Sequence, residues 1–261
     1  MLIKTRHAKT LWVVHLLGED GGTVDGSGSP RVCVGRQCQI NYHCPAASGP
    51  TTITGTVKIP AGNLPLYNAK VYIPQGDVPA ALPSGASCDR CEQVVPSDAA
   101  ASTVTDINGS FTLKNVPSGQ NIPLVIRVGK WRRIVTIPNI TECTSMPLDD
   151  SMTRLPRNQS EGDIPKIALT TGSADALECI LRKDKLGLDD SEFTLPSGNG
   201  RVNLYSGASD GNGNSGANKF KAGFNGNATA QSFPTATPWW DTPANLNKYD
   251  IVMFSCEGTQ N

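Results

Sequence analysis

The clearest alternation of apolar and polar residues in this chain runs through residues 103–113. An Asn-Gly pair, Asn108-Gly109, lies inside it and tolerates the positive φ angles of a tight turn. The pattern therefore predicts a β-hairpin. The apolar residues expected to bury one face of this hairpin are Val104, Phe111 and Leu113.

Similar short apolar runs flank this segment. Residues 51–57 and 66–73 predict two strands, and residues 122–137 predict a second hairpin that turns near Gly129 and Lys130. Together these segments suit about six short strands separated by turns, which is typical of an antiparallel β-sandwich with two sheets around one core. The predicted sandwich spans residues 51–145, after a leader and cysteine-containing tether at residues 1–50.

The pattern changes after a linker predicted at residues 146–163. Residues 164–172 form a buried-type strand, and Ser173 could cap a following helix. Residues 201–205 and 248–256 predict two further strands. The predicted order is a strand, a helix, a strand, a long connection and a strand. This order indicates a partial α/β three-layer segment at residues 164–261. The apolar face of the predicted helix comprises Ala176, Leu177, Ile180 and Leu181.

The order of short motifs in the first half resembles the carboxypeptidase regulatory-like domain, a transthyretin-like sandwich. This resemblance implies a docking, stabilising or ligand-contacting module rather than peptidase activity. It also implies that Asp106 braces the Asn-Gly turn and that Phe111 anchors the sandwich. The motifs that carry it are Ile53-x-Gly55-x-Val57, Pro65-Leu66-x-x-Ala69-x-Val71 and Thr105-Asp106-x-Asn108-Gly109-x-Phe111-x-Leu113-x-x-Val116-Pro117-x-Gly119.

The second half resembles the start of a flavodoxin-like or class I glutamine amidotransferase-like domain. Such domains normally continue with further strands and helices, so we expect this one to be incomplete or to be completed by a partner. The cysteine of the amidotransferases lies on a sharp glycine-flanked turn with a histidine downstream. Neither feature is present after residue 164, so the resemblance does not extend to that activity.

Charge narrows the choice of partners. Lys plus Arg and Asp plus Glu are equal, at 23 each, so no net field attracts nucleic acid or an anionic membrane. No segment reaches the roughly 18 apolar residues of a membrane span. We therefore expect no nucleic acid partner and no membrane span, and a small-molecule or protein ligand instead.

Eight cysteines are typical of a secreted or periplasmic protein with disulfides. Residues 11–17 form a short apolar run after basic residues, as in a signal peptide, although His15 interrupts it. Cys88-x-x-Cys91 could be a redox pair, half of a zinc site, or a loop disulfide partner of Cys143 or Cys44, and the last is favoured. Cysteine connectivity cannot be deduced from sequence.

Histidine is scarce, because His7, His15 and His43 all precede the predicted sandwich. Catalytic candidates therefore come from the strand ends of the second half, where open α/β folds place ligands. Cys256 could be a nucleophile, Glu257 a base, and the loop at Ser173 an oxyanion site. A packed thiol and a capping carboxylate are the alternative explanation, and it is favoured.

Acidic and amide side chains suggest a calcium site. Residues 210–216 place oxygen ligands at alternate positions, although Ser215 stands where an EF-hand has glycine and Lys221 where it has glutamate. A flexible Gly/Asn loop explains the same segment and is favoured. Bound calcium could polarise a carbonyl group without histidine. The candidate ligands are Asp189, Asp190, Asp210, Asn212 and Asn214.

Two function classes follow from these patterns. The favoured one is an exported binding or scaffold protein, because the sequence contains no complete catalytic constellation. The alternative is a hydrolase of small esters or lactones, dependent on calcium if the acidic cluster binds it. Trp131 and Trp239-Trp240 could stack against a sugar or apolar ligand, or could pack in the core.

Overall fold

The computed structural model describes residues 33–87, 99–182, 185–207 and 215–256. Val34–Asn261 forms one compact unit, and Met1–Cys33 forms another, of which only Cys33 is described. Several predicted features lie outside the described residues. They are the apolar run at residues 11–17, the Cys88/Cys91 pair, the calcium candidates Asp210, Asn212 and Asn214, and Glu257.

The first half contains two sheets that face each other. The strands are β1 (Thr52–Thr56), β2 (Lys70–Ile73), β3 (Ala101–Val104), β4 (Ser110–Lys114), β5 (Gly119–Val128), β6 (Trp131–Ile140), β7 (Ser145–Pro147) and β8 (Gly162–Asp163). One sheet has the order β4-β1-β7, and the other has the order β3-β2-β5-β6-β8. All neighbours are antiparallel except β1 and β7, which are parallel. The predicted β-sandwich is confirmed at this level.

One apolar core fills the space between the two sheets. Alternate residues of each strand point into it, as the period of two along a strand requires. Ile53 of β1 and Phe111 and Leu113 of β4 meet Val71 of β2 and Leu124 of β5. Each fully buried Leu, Ile or Phe side chain contributes about 1.5–3 kcal/mol through removal from water, so this core stabilises the sandwich.

The segment around Asn108-Gly109 does not form the predicted hairpin. β3 belongs to the five-stranded sheet and β4 to the three-stranded sheet, so the chain crosses the core between them. Only Gly109 has positive φ, at 71°, and Asn108 does not. Val104 is 46% exposed, in contrast to the predicted burial. The prediction that Asp106 braces the turn is confirmed, because its carboxylate accepts the backbone N–H groups of Asn108 and Ser110.

The second predicted hairpin is confirmed. β5 and β6 pair antiparallel along their length, and Val128 lies opposite Trp131. Gly129 and Lys130 form the connection, where Gly129 has a φ of 56°. The hairpin supplies the two longest strands of the sandwich.

The second half contains a four-stranded parallel sheet with the order β10-β11-β9-β14. Its strands are β9 (Ile167–Thr171), β10 (Phe193–Thr194), β11 (Val202–Ser206) and β14 (Ile251–Met253), and β12 (Lys219–Phe220) pairs separately with β13 (Gln231–Ser232). Three of these strands lie where the sequence predicts them. The assignment of this segment to a flavodoxin-like domain stays a prediction.

Both faces of the parallel sheet are covered. Ile167 and Leu204 point to one face, where they pack with Leu181 of helix α2 (Leu177–Leu181). Ala168 and Tyr205 point to the opposite face. That face is covered by helices α3 (Thr237–Trp240) and α4 (Pro243–Leu246). Burial on both sides agrees with β9, in which all five residues from Ile167 to Thr171 are buried.

The segment predicted as a linker contains β7, β8 and the short helix α1 (Asp150–Thr153). Thr153 and Leu155 are buried within it. Asp149 caps α1 by accepting the backbone N–H of Ser151 at 2.8 Å. Within the described ranges, no helix has the length and apolarity that crossing a bilayer requires.

Candidate functional site

The carboxyl ends of β9, β11 and β14 meet at one edge of the parallel sheet. This edge is where the sequence places its catalytic candidates. The loop after β9 and the segment after β14 lie against each other there, and a Cβ atom on Gly172 would approach the Cys256 carbonyl oxygen to 2.4 Å. Glycine therefore permits the close contact of the two segments.

Ser255 fixes the segment after β14. Its backbone N–H donates to Thr170 Oγ1 at 3.1 Å, and its hydroxyl donates to the Thr170 carbonyl at 2.5 Å. Both residues are buried. The Ser255 hydroxyl is thus engaged in holding two strand ends together and is not directed at solvent.

Cys256 lies at the surface of this edge. Its thiol is free and exposed, and its backbone N–H donates to Asp175 Oδ1 at 2.9 Å. The Cys256 carbonyl accepts the N–H of Ala174 at 3.2 Å. The structure therefore places Cys256 beside the β9 loop, as the strand-end argument requires. Its role as a nucleophile stays a prediction, as does that of Glu257 as its base.

Ser173 lies on the same loop and is half-buried. The prediction that it caps the following helix is wrong, because α2 begins at Leu177 and Ala176 occupies the N-cap position. No side chain caps α2. Asp175, in the same loop, has a carboxylate that could cap a helix. This carboxylate accepts the backbone N–H of Cys256 instead.

His43 is the one histidine in the described part of the chain. It is exposed, and its backbone N–H donates to Asn41 Oδ1 at 2.8 Å. It precedes Cys44, which is bonded to Cys143 on the sandwich. No contact links His43 to Cys256 among the described residues. An ester or lactone hydrolase with a cysteine–histidine pair gains no support from this arrangement.

The acidic calcium candidates that the structure describes are bonded to protein groups. Asp189 accepts the Asn158 side-chain amide at 2.6 Å. Asp190 accepts two hydrogen bonds from the Arg182 guanidinium at 2.9 and 2.8 Å. The neighbouring Glu192 is buried and accepts the backbone N–H groups of Gln159 and Arg201.

Within the described ranges, no group of three or more His, Cys, Asp or Glu side chains is placed to hold a metal ion. Asp189 and Glu192 instead brace the segment at residues 158–159, and Asp190 braces Arg182 at the end of α2. A calcium site stays a prediction, and its remaining candidates Asp210, Asn212 and Asn214 lie outside the described residues.

A buried polar chain lies on the α3/α4 face of the parallel sheet. The hydroxyl groups of Tyr205 and Tyr249 are 2.8 Å apart, and the Tyr249 hydroxyl donates to Asn203 Oδ1 at 3.1 Å. It follows that Tyr205 donates to Tyr249. Burial raises the pKa of the Tyr249 hydroxyl far above its usual value, and the hydrogen bond with the Tyr205 hydroxyl raises it further. These phenols are held neutral and serve as structural hydrogen-bonding groups.

Trp239 packs within the same face and is not an open stacking platform. Its ring lies 4.2 Å from that of Tyr205 in a stacked arrangement. Trp131 is half-buried and packs against the sandwich core and against the core of the parallel sheet. Of the two roles considered from the sequence, stacking against a ligand and packing in the core, both residues have the second. Phe254, which is 55% exposed, contacts Trp240 at the sheet edge, with ring centroids 5.6 Å apart.

Sequence reasoning missed an apolar surface at one end of the sandwich. Large apolar side chains are exposed in the 64–67 loop and in the segment from Val104, at the end of β3, to Ile107, and the two segments are joined because Thr105 Oγ1 donates to the Leu66 carbonyl at 2.5 Å. We call this the apolar loop surface. Its members, with their exposed fractions, are Leu64 (58%), Tyr67 (70%), Val104 (46%) and Ile107 (79%).

The signal for this surface was present in the sequence but ambiguous. Val104 belongs to the alternating pattern that predicts a buried face, and Ile107 precedes the Asn-Gly turn. Their exposure becomes apparent only once β3 and β4 are separated into different sheets.

The cysteines pair differently from the favoured prediction. Cys44 is bonded to Cys143, with Cα atoms 5.3 Å apart. Neither can therefore pair with the Cys88/Cys91 loop, and neither can complete a zinc site with it. Cys33 and Cys38 each take part in a disulfide bond as well. The disulfides themselves are confirmed as a feature of the chain.

Comparison with known proteins does not place the chain in a family. No family model matches it. No curated protein matches it either. Two similar solved structures are mutants of a type II cohesin–X-dockerin complex from Acetivibrio cellulolyticus. The first is 18% identical, and the match covers 48% of this chain and 78% of the matched chain. The second is 16% identical, and the match covers 49% of this chain and 79% of the matched chain. The TM-score is 0.26 in both cases.

A third similar structure is a 9R-lipoxygenase from Cyanothece. It is 18% identical over 43% of this chain and 19% of the other, with a TM-score of 0.21. At these identities and TM-scores, the chain is assigned neither the fold family nor the activity of any of these proteins.

Proposed function

We propose that this chain is an exported binding protein, in which a disulfide-bonded β-sandwich presents the apolar loop surface to a protein partner. The observation that carries the proposal is the cluster of Leu64, Tyr67, Val104 and Ile107 on two adjoining loops. Monomeric soluble proteins expose single apolar side chains routinely, but contiguous clusters typically mark interaction sites.

The position of this surface on the fold favours binding. It lies on loops that join strands of a rigid sandwich, which is where binding residues concentrate in such architectures. The loops are held by the buried Thr105, which accepts the N–H of Ala69 at 2.8 Å. A loop backbone that is fixed in this way loses little conformational freedom when a partner covers it.

The disulfides support export. Cys44–Cys143 links residues 99 positions apart and fastens the segment before the sandwich to the segment after β6. Disulfides persist in secreted and periplasmic proteins and are rare in the cytosol. The protein is therefore proposed to fold and act in an oxidising compartment.

Two finer assignments belong to the same proposal. The sandwich is proposed to be of the carboxypeptidase regulatory-like type, on the order of its sequence motifs. The parallel sheet is proposed to be a partial α/β segment whose exposed edge strand, β14, is open to completion by a partner. Neither assignment is needed for the apolar loop surface to bind.

Site-specific photo-crosslinking tests the proposal. A photoreactive amino acid would replace Ile107 in one variant and Lys114 in another, and each protein would be exposed to the extracellular fraction of the organism that produces it. Lys114 is the matched control, because it is an exposed residue of β4 outside the apolar loop surface. We expect one defined crosslinked protein at position 107 and none at position 114.

Competition makes this experiment decisive. Unlabelled wild-type protein should suppress the crosslink, whereas a variant with Leu64, Tyr67 and Ile107 changed to Ser should not. The same background of products at positions 107 and 114, insensitive to both competitors, would refute a binding role for this surface.

A further inference from the structure

A cavity of about 350 Å³ lies beside β6 and β8, remote in sequence from the apolar loop surface. Its walls come from Arg132 and Ile134 of β6, from the loop at Pro79 and Ala81, and from residues 159–163. This volume is within the range of small-molecule sites in proteins. Sequence patterns gave no sign of it, because its walls come from three separate segments.

Arg132 is the principal polar group in this cavity. Its side chain is only 3% exposed, and Asp163 Oδ2 accepts hydrogen bonds from its Nε at 2.7 Å. Nη2 lies 2.6 Å from the same carboxylate oxygen and donates to the Ala80 carbonyl at 2.6 Å. The guanidinium is therefore held in one orientation before any ligand arrives.

One nitrogen of this guanidinium has no acceptor among the residues that the structure describes. Nη1 of Arg132 donates to none of the described residues. Arg132 is itself one of the residues that line the cavity. Because Nε and Nη2 are already bonded, Nη1 is the nitrogen of this lining residue that is left to donate to a ligand.

The backbone of β8 makes this arrangement possible. A Cβ atom on Gly162 would lie 2.4 Å from the Arg132 carbonyl oxygen, so glycine is needed for β8 to approach β6. Asp163 follows Gly162 directly and pairs with Arg132 because of this approach. The site is therefore constructed by the fold and does not depend on mobile surface side chains.

The acidic residues in the wall of the cavity do not oppose an anion. The two carboxylates among its lining residues, Glu161 and Asp163, are both paired with arginine. Arg154 and Arg157 both contact Glu161, and Arg133 lies close to the same group. Both carboxylates in the lining are therefore neutralised by an arginine partner, and neither presents an unpaired negative charge to a ligand in the cavity.

We infer that this cavity binds a small organic carboxylate, which accepts hydrogen bonds from Nη1 of Arg132. Charge-assisted hydrogen bonds between guanidinium and carboxylate are among the stronger polar contacts in proteins. The inference goes beyond the proposed protein-binding role, because it concerns a different surface and a different class of ligand.

Titration with acetate tests the inference. Binding would be followed through the Arg132 Nε–H resonance in NMR spectra and through the midpoint of thermal unfolding, with sodium chloride at matched ionic strength and glucose as the comparison solutes. We expect a saturable change with acetate that chloride and glucose do not produce. An equal response to chloride, or a response to glucose alone, overturns the inference.

Two variants locate the site. Arg132→Lys keeps the positive charge but removes Nη1, and we expect at least a tenfold weaker apparent affinity for acetate. Ala81→Phe narrows the cavity from an exposed position without changing the Arg132–Asp163 pair, and should weaken acetate binding while the protein stays folded. Arg127→Lys, on neighbouring β5, is the matched control and should bind as the wild type does.

Wild-type acetate affinity in both Arg132→Lys and Ala81→Phe would overturn the inference. The triple Ser variant of the apolar loop surface should retain acetate binding, so failure of the partner experiment and failure of this experiment are distinguishable.

Discussion

At the scale of single residues, the buried polar groups of Asn203, Tyr205 and Tyr249 are hydrogen-bonded to one another. Asn203 is fully buried, and its side-chain amide donates to Thr194 Oγ1 while its carbonyl oxygen accepts from Tyr249. Tyr205 completes the chain of bonds. Because a buried polar group without a partner costs about 1–3 kcal/mol, each member of this chain constrains the others.

Tyr249→Phe should therefore destabilise the protein by about 2–3 kcal/mol. The change leaves Asn203 Oδ1 and the Tyr205 hydroxyl without their partner inside the α3/α4 face. Urea unfolding followed by tryptophan fluorescence would measure the loss. Tyr67→Phe, at a 70% exposed position, is the control and should change stability by less than about 0.5 kcal/mol. Equal effects of the two changes would contradict the network.

The ion pairs of Glu161 should make the stability of the fold depend on pH in the acid range. The Arg154 guanidinium, with further hydrogen bonds from Arg157, lowers the pKa of Glu161 to about 2. A depressed pKa in the folded state means that this carboxylate stabilises the fold above its unfolded pKa. That contribution is lost as the pH falls through the folded value.

We expect Glu161→Gln to cost about 1–3 kcal/mol at pH 7, and the difference from wild type to disappear as the pH falls from about 4.5 towards 2. Urea unfolding at a series of pH values measures this. Glu142→Gln, at an exposed site, is the control. A cost for Glu161→Gln that stays constant down to pH 2.5 would exclude the ion pair as its cause.

Sequence predicts local residue roles and misses distant ones. The bracing role of Asp106 could be predicted because its hydrogen-bond partners lie two and four residues away. The pairing of Cys256 with Asp175, at a separation of 81, could not be predicted. Nor could the pairing of Arg132 with Asp163, since only the assembled sheets bring these residues together.

At the scale of elements, the connection between β3 and β4 depends on Gly109. Its φ of 71° lies in the left-handed region, and a Cβ atom would approach the Val57 carbonyl oxygen to 2.6 Å. The backbone N–H of Val57 donates to the Gly109 carbonyl at 2.8 Å. The crossing from one sheet to the other is thus fixed by a close contact between backbones.

Gly109→Ala should destabilise the protein by about 2–4 kcal/mol, because strain at positive φ adds to the clash with Val57. Gly129→Ala is the matched control. Gly129 also has positive φ, at 56°, but nothing lies within 4 Å of its added Cβ atom, so a cost of about 1 kcal/mol is expected. Thermal unfolding of both variants measures the difference, and equal costs would show that the close approach does not matter.

Periodicity predicts which segments are strands better than it predicts their partners. The strand at β9 and the β5–β6 hairpin lie where the apolar pattern places them. The Asn-Gly segment has the sequence of a hairpin, but β3 and β4 pair with different strands. A local pattern specifies the turn and the alternation, whereas the choice of sheet depends on long-range packing.

At the scale of the whole molecule, Cys44–Cys143 closes a loop of nearly the entire sandwich. Its sequence separation of 99 predicts a large restriction of the unfolded chain. The double change Cys44→Ser and Cys143→Ser should lower the free energy of unfolding by about 2–5 kcal/mol. The exposed free cysteines Cys179 and Cys256 provide the control, since their change to Ser should have little effect.

Denaturant unfolding with and without reductant would measure this effect. Reductant should destabilise the wild type more than the double variant, because the variant has already lost the Cys44–Cys143 bond. A double variant as stable as the wild type under oxidising conditions would show that this disulfide contributes nothing to folding stability.

The assembly of the two halves was the part of the fold that the sequence did not predict. Lys130, at the tip of the β5–β6 hairpin, pairs with Asp250 just before β14 at 2.5 Å. Asp250 is almost fully buried and also accepts the backbone N–H of Lys166 at 2.6 Å. The two groups are 120 residues apart, and neither belongs to a recognisable motif.

This ion pair bears on how the gene could be divided. A sandwich excised at residue 163 would lose the carboxylate that pairs with Lys130, and the remaining piece would keep a buried Asp250 without its cation, which is costly. Trp131 would also lose the apolar neighbours that it has in the parallel sheet. The sandwich is therefore not a portable module, and fusion or shuffling experiments should transfer it together with the parallel sheet.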